Sequence, residues 1–252
     1  MLLDNKVAVV TGAAQGIGEG IALLFSHEGA TVAICDINGE GAKQTAFRIK
    51  TQTGLTVEAW ELDVRDGEAV RSVVESIDSA FGRIDILVNC AGILKPVPFF
   101  EMTEEVWDSH FEVNVRGAFL MSQAVSRIMC TKGGCKIVNI SSDSGVAPFA
   151  DEAAYAASKS ALIALTRSIA KDLGKYGIYC NAVCPGAVMT PMLRETYLHG
   201  PEKEKEYIEA NALKRMAQPE DIARIVLFFA SQLSDHVTGE HLLANAGDIM
   251  SQ

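Results

Sequence analysis

Lys6-Val7-Ala8-Val9-Val10-Thr11-Gly12-Ala13-Ala14-Gln15-Gly16-Ile17-Gly18 is the stretch on which the fold turns. Its first part, residues 6–11, is an unbroken apolar run rich in β-branched residues. Strands buried on both faces of a parallel sheet read this way. Glycines follow at 12, 16 and 18, and then a helical pattern through Ala22, Leu23 and Phe25. A glycine-rich turn between strand and helix lets backbone N–H groups approach a pyrophosphate at the positive end of the helix dipole. The spacing is G-x-x-x-G-x-G, not the G-x-G-x-x-G of other dinucleotide folds. A tight βα connection alone would also use glycines, but the position directly after the first strand favours a dinucleotide.

Outward from this stretch, strand and helix patterns alternate. The next strand spans 31–35, and Asp36 stands at its C-terminal end. A carboxylate there accepts hydrogen bonds from the adenosine ribose and repels a 2′-phosphate. Gln15 and Ile37 offer that phosphate no cation, so NAD is expected over NADP. A helix over 39–50, a strand over 57–62 ending at Asp63-Val64, a helix over 67–81 and a strand over 84–88 follow, the last running into Asn89-Cys90-Ala91-Gly92. This alternation predicts an α/β fold, a Rossmann-type doubly wound parallel sheet with helices on both faces.

Thr103 is placed to cap a helix that runs past Asn114 to about Met129, with a break expected near Ser109. A strand over 136–140 leads into Ser141-Ser142-Asp143-Ser144. A helix over 153–175 carries Tyr155 and Lys159, and a strand over 178–184 leads into Pro185-Gly186-Ala187-Val188-Met189-Thr190. The polar insert around 191–212 is expected to cover a pocket. A helix over 219–232 and a strand over 241–244 close the pattern. With no repeat or linker, residues 1–252 read as one domain.

Tyr155 and Lys159 lie one turn apart on one helix face. A phenol ionises near pH ~10, and a fixed cation beside it favours the phenolate. Such a pair can exchange a proton with an alcohol or a ketone. Formal net charge is -10, with no basic block, which speaks against nucleic acid and anionic membranes as partners. No secretory apolar region follows Met1 and no apolar run spans a bilayer, so a cytoplasmic protein is expected. The six cysteines form no Cys-x-x-Cys pair. They read as free thiols, most of them buried, and no metal site is expected.

In order and spacing, Thr11-Gly12 through Gly18, Asp63, Asn89-x-Ala91-Gly92, Asn114, Ser142, Tyr155-x-x-x-Lys159 and Pro185-Gly186 resemble the short-chain dehydrogenase/reductase family over the whole chain. The resemblance implies a seven-stranded parallel sheet and a homodimer or homotetramer joined through the two long helices. It implies that Gly12, Gly16 and Gly18, with Gln15 and Ile17 between them, hold the cofactor phosphates. Asp36 and Ile37 take the adenosine ribose end, and Asp63 and Val64 the adenine. Asn89, Ala91 and Gly92 line the cofactor, as do Pro185 and Gly186, while Val188 and Thr190 touch the nicotinamide amide. Tyr155 becomes the acid/base and Ser142 orients the substrate oxygen. Lys159 lowers the phenol and binds the nicotinamide ribose, and Asn114 holds a water leading to solvent. Two positions depart from the pattern: Cys90, where a second asparagine is common, and Asn245-Ala246-Gly247-Asp248, where Asp-Gly-Gly is usual.

These residues imply an NAD-dependent oxidoreductase that interconverts a small secondary alcohol and its ketone. Leu94, Lys95, Pro96, Pro148, Phe149, Glu152, Ala187, Met192 and Leu193 are candidates for the substrate lining. Asp143 and Glu152 suit the extra hydroxyls of a polyol or sugar. Lys95 and Arg194 suit an acidic group instead. A 3-oxoacyl-thioester reductase and a non-catalytic nicotinamide-sensing regulator remain as alternatives.

Overall fold

The computed structural model describes residues 1–250. Seven strands form one parallel sheet in the order β3-β2-β1-β4-β5-β6-β7. They are β1 Val7–Thr11, β2 Thr31–Asp36, β3 Val57–Glu61, β4 Ile86–Asn89, β5 Cys135–Ile140, β6 Ile178–Pro185 and β7 His241–Ala244. Each expected strand is present, with ends shifted by at most two residues. Register is uniform across the centre: Val9 pairs with Ala33 on one side and Leu87 on the other.

The two-residue period of β1 divides the core. Ala8 and Val10 face one layer with Ile21 and Phe25 of α1 (Gly16–His27), Ala42 and Ile49 of α2 (Gly39–Thr53), and Ile222 and Val226 of α9 (Pro219–Ala230). Val9 faces the other, with Val70, Val74 and Ile77 of α3 (Gly67–Phe81) and Met121, Val125 and Met129 of α5 (Ala118–Met129). Because both faces are covered, the central strand β1 is buried along its whole length and apolar on both faces up to Thr11. Local chemistry fixes the helix ends. Asp66 accepts from the Glu68 and Ala69 N–H groups at the start of α3, and Gly82, at φ 72°, closes it.

The long helix after Thr103 departs from expectation. Thr103 does cap α4 (Glu104–Phe111), accepting from Val106 N, but no break occurs at Ser109. The irregularity is a π-helical turn, Glu112–Gly117, that joins α4 to α5. Its cause is long-range. Asn114 Oδ1 accepts from Ile93 N (2.8 Å), and its Nδ2 donates to Ile93 O (3.1 Å) and Ser158 Oγ (3.0 Å). A wide turn of this kind sets one residue out of α register and often sits at a functional site.

The helix bearing Tyr155 and Lys159, α6, spans Ala153–Leu173 and is followed by a 3₁₀ turn, Gly174–Tyr176. The insert forms two short helices, α7 (Pro191–Thr196) and α8 (Pro201–Ala210), each opened by proline at its first position. Strand order reverses between β1 and β4, so a crevice opens at their C-terminal ends.

Candidate active site

That crevice is a cleft of about 1,000 Å³, at the upper end of the ~300–1,000 Å³ found for ligand pockets. The β1–α1 loop forms one wall. Gly12 has φ +64°, and a Cβ there would lie 2.7 Å from Ala91 Cα. A Cβ on Gly18 would lie 2.8 Å from Ala13 Cα and closer still to the Gly12 carbonyl oxygen. Only glycine therefore lets the turn close on itself and on the end of β4. No side chain caps α1, so the free N–H groups of its first turn stand at the cleft beside Gln15, Gly16, Ile17 and Gly18. This cradle suits a pyrophosphate.

The end of the cleft at Asp36 is acidic. Asp36 is held by backbone groups, accepting from Ala14 N (3.0 Å) and Asn38 N (2.9 Å). Ile37, Asp63 and Val64 line the cleft with it. Arg65 lines the same region, a cation that sequence reading overlooked. It is bound to Asp63 at 2.6 Å, and that hydrogen-bonded guanidinium holds the Asp63 carboxyl below its ordinary value.

Ala91, Gly92, Pro185, Gly186, Val188 and Thr190 also line the cleft. Asn89 does not. It is buried behind the strand end, where Nδ2 donates to Ser122 Oγ (3.0 Å) and Asn139 Oδ1 (2.8 Å), and Oδ1 has no partner among the described residues. Its role as lining is thus corrected: a residue within the strand alternates inward, and only those after it reach the crevice. The Cys90 position is tied down by Thr11 instead, whose Oγ1 accepts from both Cys90 N and Ala91 N at 3.1 Å. The Asn245 segment closes locally, with Asn245 Nδ2 donating to Ile249 O (2.9 Å) and its Oδ1 accepting from Gly247 N (3.2 Å).

Ser142, Tyr155 and Lys159 come together at the centre of the cleft. Lys159 is buried, donates from Nζ to Ile140 O at 2.9 Å, and lies 5.6 Å from the Tyr155 ring centroid. Burial pulls its ammonium down to about 8, against the opposing pull of Cys90 and Cys184. Tyr155 is not depressed. Burial pushes it up, Ser142 pulls it down, and the carboxylates of Glu152 and Asp143 push it up further. In the protein by itself burial dominates, and the phenol is raised, contrary to the expectation from spacing. Asn114 does not line the cleft. Both its amide hydrogens are committed, but its Oδ1 stands where a Cβ on Gly92 would be 3.2 Å away, with Lys159 Nζ at 3.3 Å from the same point.

The other wall is rich in acidic and hydroxyl groups. Glu152 is buried, and accepts from Ser144 Oγ at 2.6 Å and from the Tyr197 hydroxyl. Asp143 is 5 % exposed; burial lifts its carboxyl to about 6, with Ser142 and Ser144 pulling down and Asp248 and Glu152 pushing up. Leu94, Phe149, Ala187, Met192 and Leu193 line the cleft as expected. Lys95, Pro96, Pro148 and Arg194 do not. The Lys95 segment is instead fastened by buried His110, whose Nε2 accepts from Lys95 N (3.2 Å) while Nδ1 bonds Val106 O (2.7 Å). The His110 ring lies 6.3 Å from that of Tyr155. Sequence reading missed His110, and also Tyr197, Lys203 and Tyr207 of the insert, which belong to the lining.

The family profile described as enoyl-(acyl carrier protein) reductase matches residues 12–248. A 3-oxoacyl-[acyl-carrier-protein] reductase of Thermotoga maritima is 39% identical, over 98% of this chain and 99% of that one. An NAD-dependent glycerol dehydrogenase of Listeria innocua is 37% identical over 97% and 94%, and a D-threitol dehydrogenase of Mycolicibacterium smegmatis 35% over 97% and 93%. The crystal structure of a protein from Sinorhizobium meliloti described as a short-chain alcohol dehydrogenase superposes with a TM-score of 0.92 at 33% identity, covering 98% of both chains.

Proposed function

The chain belongs to the short-chain dehydrogenase/reductase family of oxidoreductases, and on that premise we propose that it is an NAD-dependent dehydrogenase of a small polyol, sugar or related hydroxy compound. The observation that carries the reading is the wall opposite the nicotinamide end. Asp143 and Glu152 are buried carboxylates, and Ser144 and Tyr197 join them. Acceptors packed this densely suit a ligand that brings several hydroxyl donors, and they repel an anionic one.

The residues fit a nicotinamide dinucleotide. The α1 N-terminus takes the pyrophosphate, Asp36 accepts from the ribose hydroxyls, and Asp36 repels a 2′-phosphate. Bound there, the oxidised nicotinamide supplies the hydride acceptor and a positive charge. The protein supplies the proton chemistry. Tyr155 accepts the proton of the substrate hydroxyl, Ser142 fixes its oxygen, and Lys159 holds the ribose and lends its charge to the phenol. Lys159 passes protons toward the Asn114 side, where a water completes the route to solvent. The insert covers the substrate. Trp107 and Phe119, exposed on α4 and α5, support assembly into a dimer or tetramer through these helices.

A second reading, reduction of 3-oxoacyl thioesters, is favoured by the Thermotoga relative and by the apolar side of the pocket. The acidic wall and Asp36 weigh against it. Purified protein with NAD or NADP, offered glycerol, tetritols, hydroxy acids and 3-hydroxyacyl thioesters, tests both at the absorbance of the reduced cofactor. Turnover of polyols with NAD is expected. Turnover of thioesters alone, or with NADP alone, would replace the first reading by the second.

A further inference from the structure

We propose that His110 is a positioning residue: as the neutral imidazole protonated at Nδ1, it seats Leu94 in the cleft as an apolar contact for the substrate. The kinetic consequence rests on the dehydrogenase reading; the state of the ring and its hold on the backbone do not.

His110 is 0 % exposed, so water satisfies neither ring nitrogen. Nδ1 faces Val106 O at 2.7 Å. A carbonyl brings no proton, so the hydrogen of that bond belongs to Nδ1. Nε2 faces Lys95 N at 3.2 Å. A backbone N–H can only donate, so Nε2 is a bare lone pair. One state of the ring meets both demands, the neutral one with hydrogen on Nδ1. The other tautomer would set two N–H groups against each other and turn a lone pair to the carbonyl. The imidazolium would serve Val106 and repel Lys95 N–H.

The bond to Lys95 N completes a pair of anchors. Asn114, in the π turn that follows α4, takes both backbone groups of Ile93, its Oδ1 accepting from Ile93 N and its Nδ2 donating to Ile93 O. His110, in the last turn of α4, takes Lys95 N. Leu94 is bracketed between them. It lines the cleft, and Lys95 does not. Residues 90–98 form no helix or strand, so no ladder of backbone bonds holds this segment, and the two side chains do that work. The His110 ring also meets the Tyr155 ring edge-on, with centroids 6.3 Å apart and planes at 73°. One buried side chain therefore touches both the segment that carries Leu94 and the phenol. His110 itself does not line the cleft, so it acts on a ligand only through these neighbours.

Three substitutions separate the ring's two bonds. His110→Gln carries an acceptor oxygen as far out as Nε2. His110→Asn reaches only as far as Nδ1, and His110→Phe keeps the ring without either bond. Phe and Asn leave Lys95 N–H unpaired, so each should raise KM for the alcohol by about tenfold, with a smaller change in kcat. Gln should rescue most of that loss, to within about threefold of wild type. Leu94→Ala alone should raise KM, and adding His110→Phe to it should raise KM no further, because both act through one side chain. Equal losses in Gln and Phe, a loss confined to kcat, or two effects that multiply in the double variant overturns the proposal. Two readouts need no substrate. In wild-type protein at about pH 8, long-range ¹H–¹⁵N spectra should find His110 protonated at Nδ1 and bare at Nε2. Exchange of the Lys95 amide should be about tenfold faster in His110→Phe and remain slow in His110→Gln. A ring protonated at Nε2, or a Lys95 amide indifferent to both substitutions, overturns it equally. If no alcohol is turned over, the dehydrogenase reading fails, while the ring and the amide still decide what His110 holds.

Discussion

Asp143→Asn should change how stability depends on pH, by an amount the structure sets. The unfolded carboxyl has its ordinary value of 3.8, and the folded one is raised to about 6. Between these values the folded state holds a proton that the unfolded state has shed. Stability therefore falls as pH rises from about 4 to about 6, and is level above that window. At ~1.4 kcal/mol for each tenfold change in proton affinity, the ionised side chain costs the fold about 3 kcal/mol at pH 8 and almost nothing at pH 4. The hydrogen bonds from Ser142 and Ser144 already lessen this cost. Asparagine has no proton to shed. Any change it makes through altered hydrogen bonding is the same at both pH values, so the difference between them isolates the charge. For a chain of this length ~2–4 °C accompanies each kcal/mol, so the variant should gain about 6–12 °C more in Tm at pH 8 than at pH 4. Scanning calorimetry of both proteins at the two pH values measures it. An equal shift at both would show that the buried carboxyl is not strained by its surroundings, and the reasoning from burial would fail.

Three further perturbations test the rest of the site. Tyr155→Phe should cut turnover by about 10²–10⁴ while titration calorimetry finds NAD affinity unchanged; near-normal turnover would remove the phenol from the proton path. Asp36→Ala should weaken NAD and raise the NADP-to-NAD ratio of kcat/KM by about tenfold or more, and an unaltered ratio would mean that the carboxylate does not read the ribose. Gly18→Ala would set a methyl 2.8 Å from Ala13 Cα, displacing α1 from the phosphate cradle. Calorimetry should find NAD binding lost, and wild-type affinity would show that the loop can yield.

The glycine-loop half of the cleft was legible because its residues are tied to strand ends. Gly12, Gly16, Gly18 and Asp36 stand at fixed offsets from β1 and β2, and continuous apolar runs mark those strands. The bounds of α3 were equally plain, since Asp66 and Gly82 act on their own neighbours. The misplaced break near Ser109 has the opposite origin. The π turn answers to Ile93 and Ser158, which lie 21 and 44 residues from Asn114, and no local pattern encodes that. On the other side of the cleft, Leu94, Phe149, Glu152, Ala187, Met192 and Leu193 were legible from their nearness to the motifs. Tyr197 and Tyr207 come from a polar insert without a buried period, and their use depends on how α7 and α8 fold over the cleft. Lys95 looked like a ligand contact by its position, but His110 captures its backbone and turns the segment away.

The tyrosine and lysine show where spacing stops being informative. Four residues of separation place them on one helix face, and the structure keeps them 5.6 Å apart from ammonium to ring. Yet the phenol is raised, chiefly by its own burial, and Glu152 and Asp143 on the neighbouring wall push it further. Specificity and basicity therefore compete for one site. On the proposed reading, acceptors that suit the ligand oppose ionisation of the residue that would take its proton, and Lys159 is itself softened to about 8 by its burial. On the proposed dehydrogenase reading, a bound oxidised nicotinamide would add a positive charge that favours the phenolate. Proton acceptance by Tyr155 would then depend on the cofactor, and the acid/base step would be tied to the presence of the hydride acceptor.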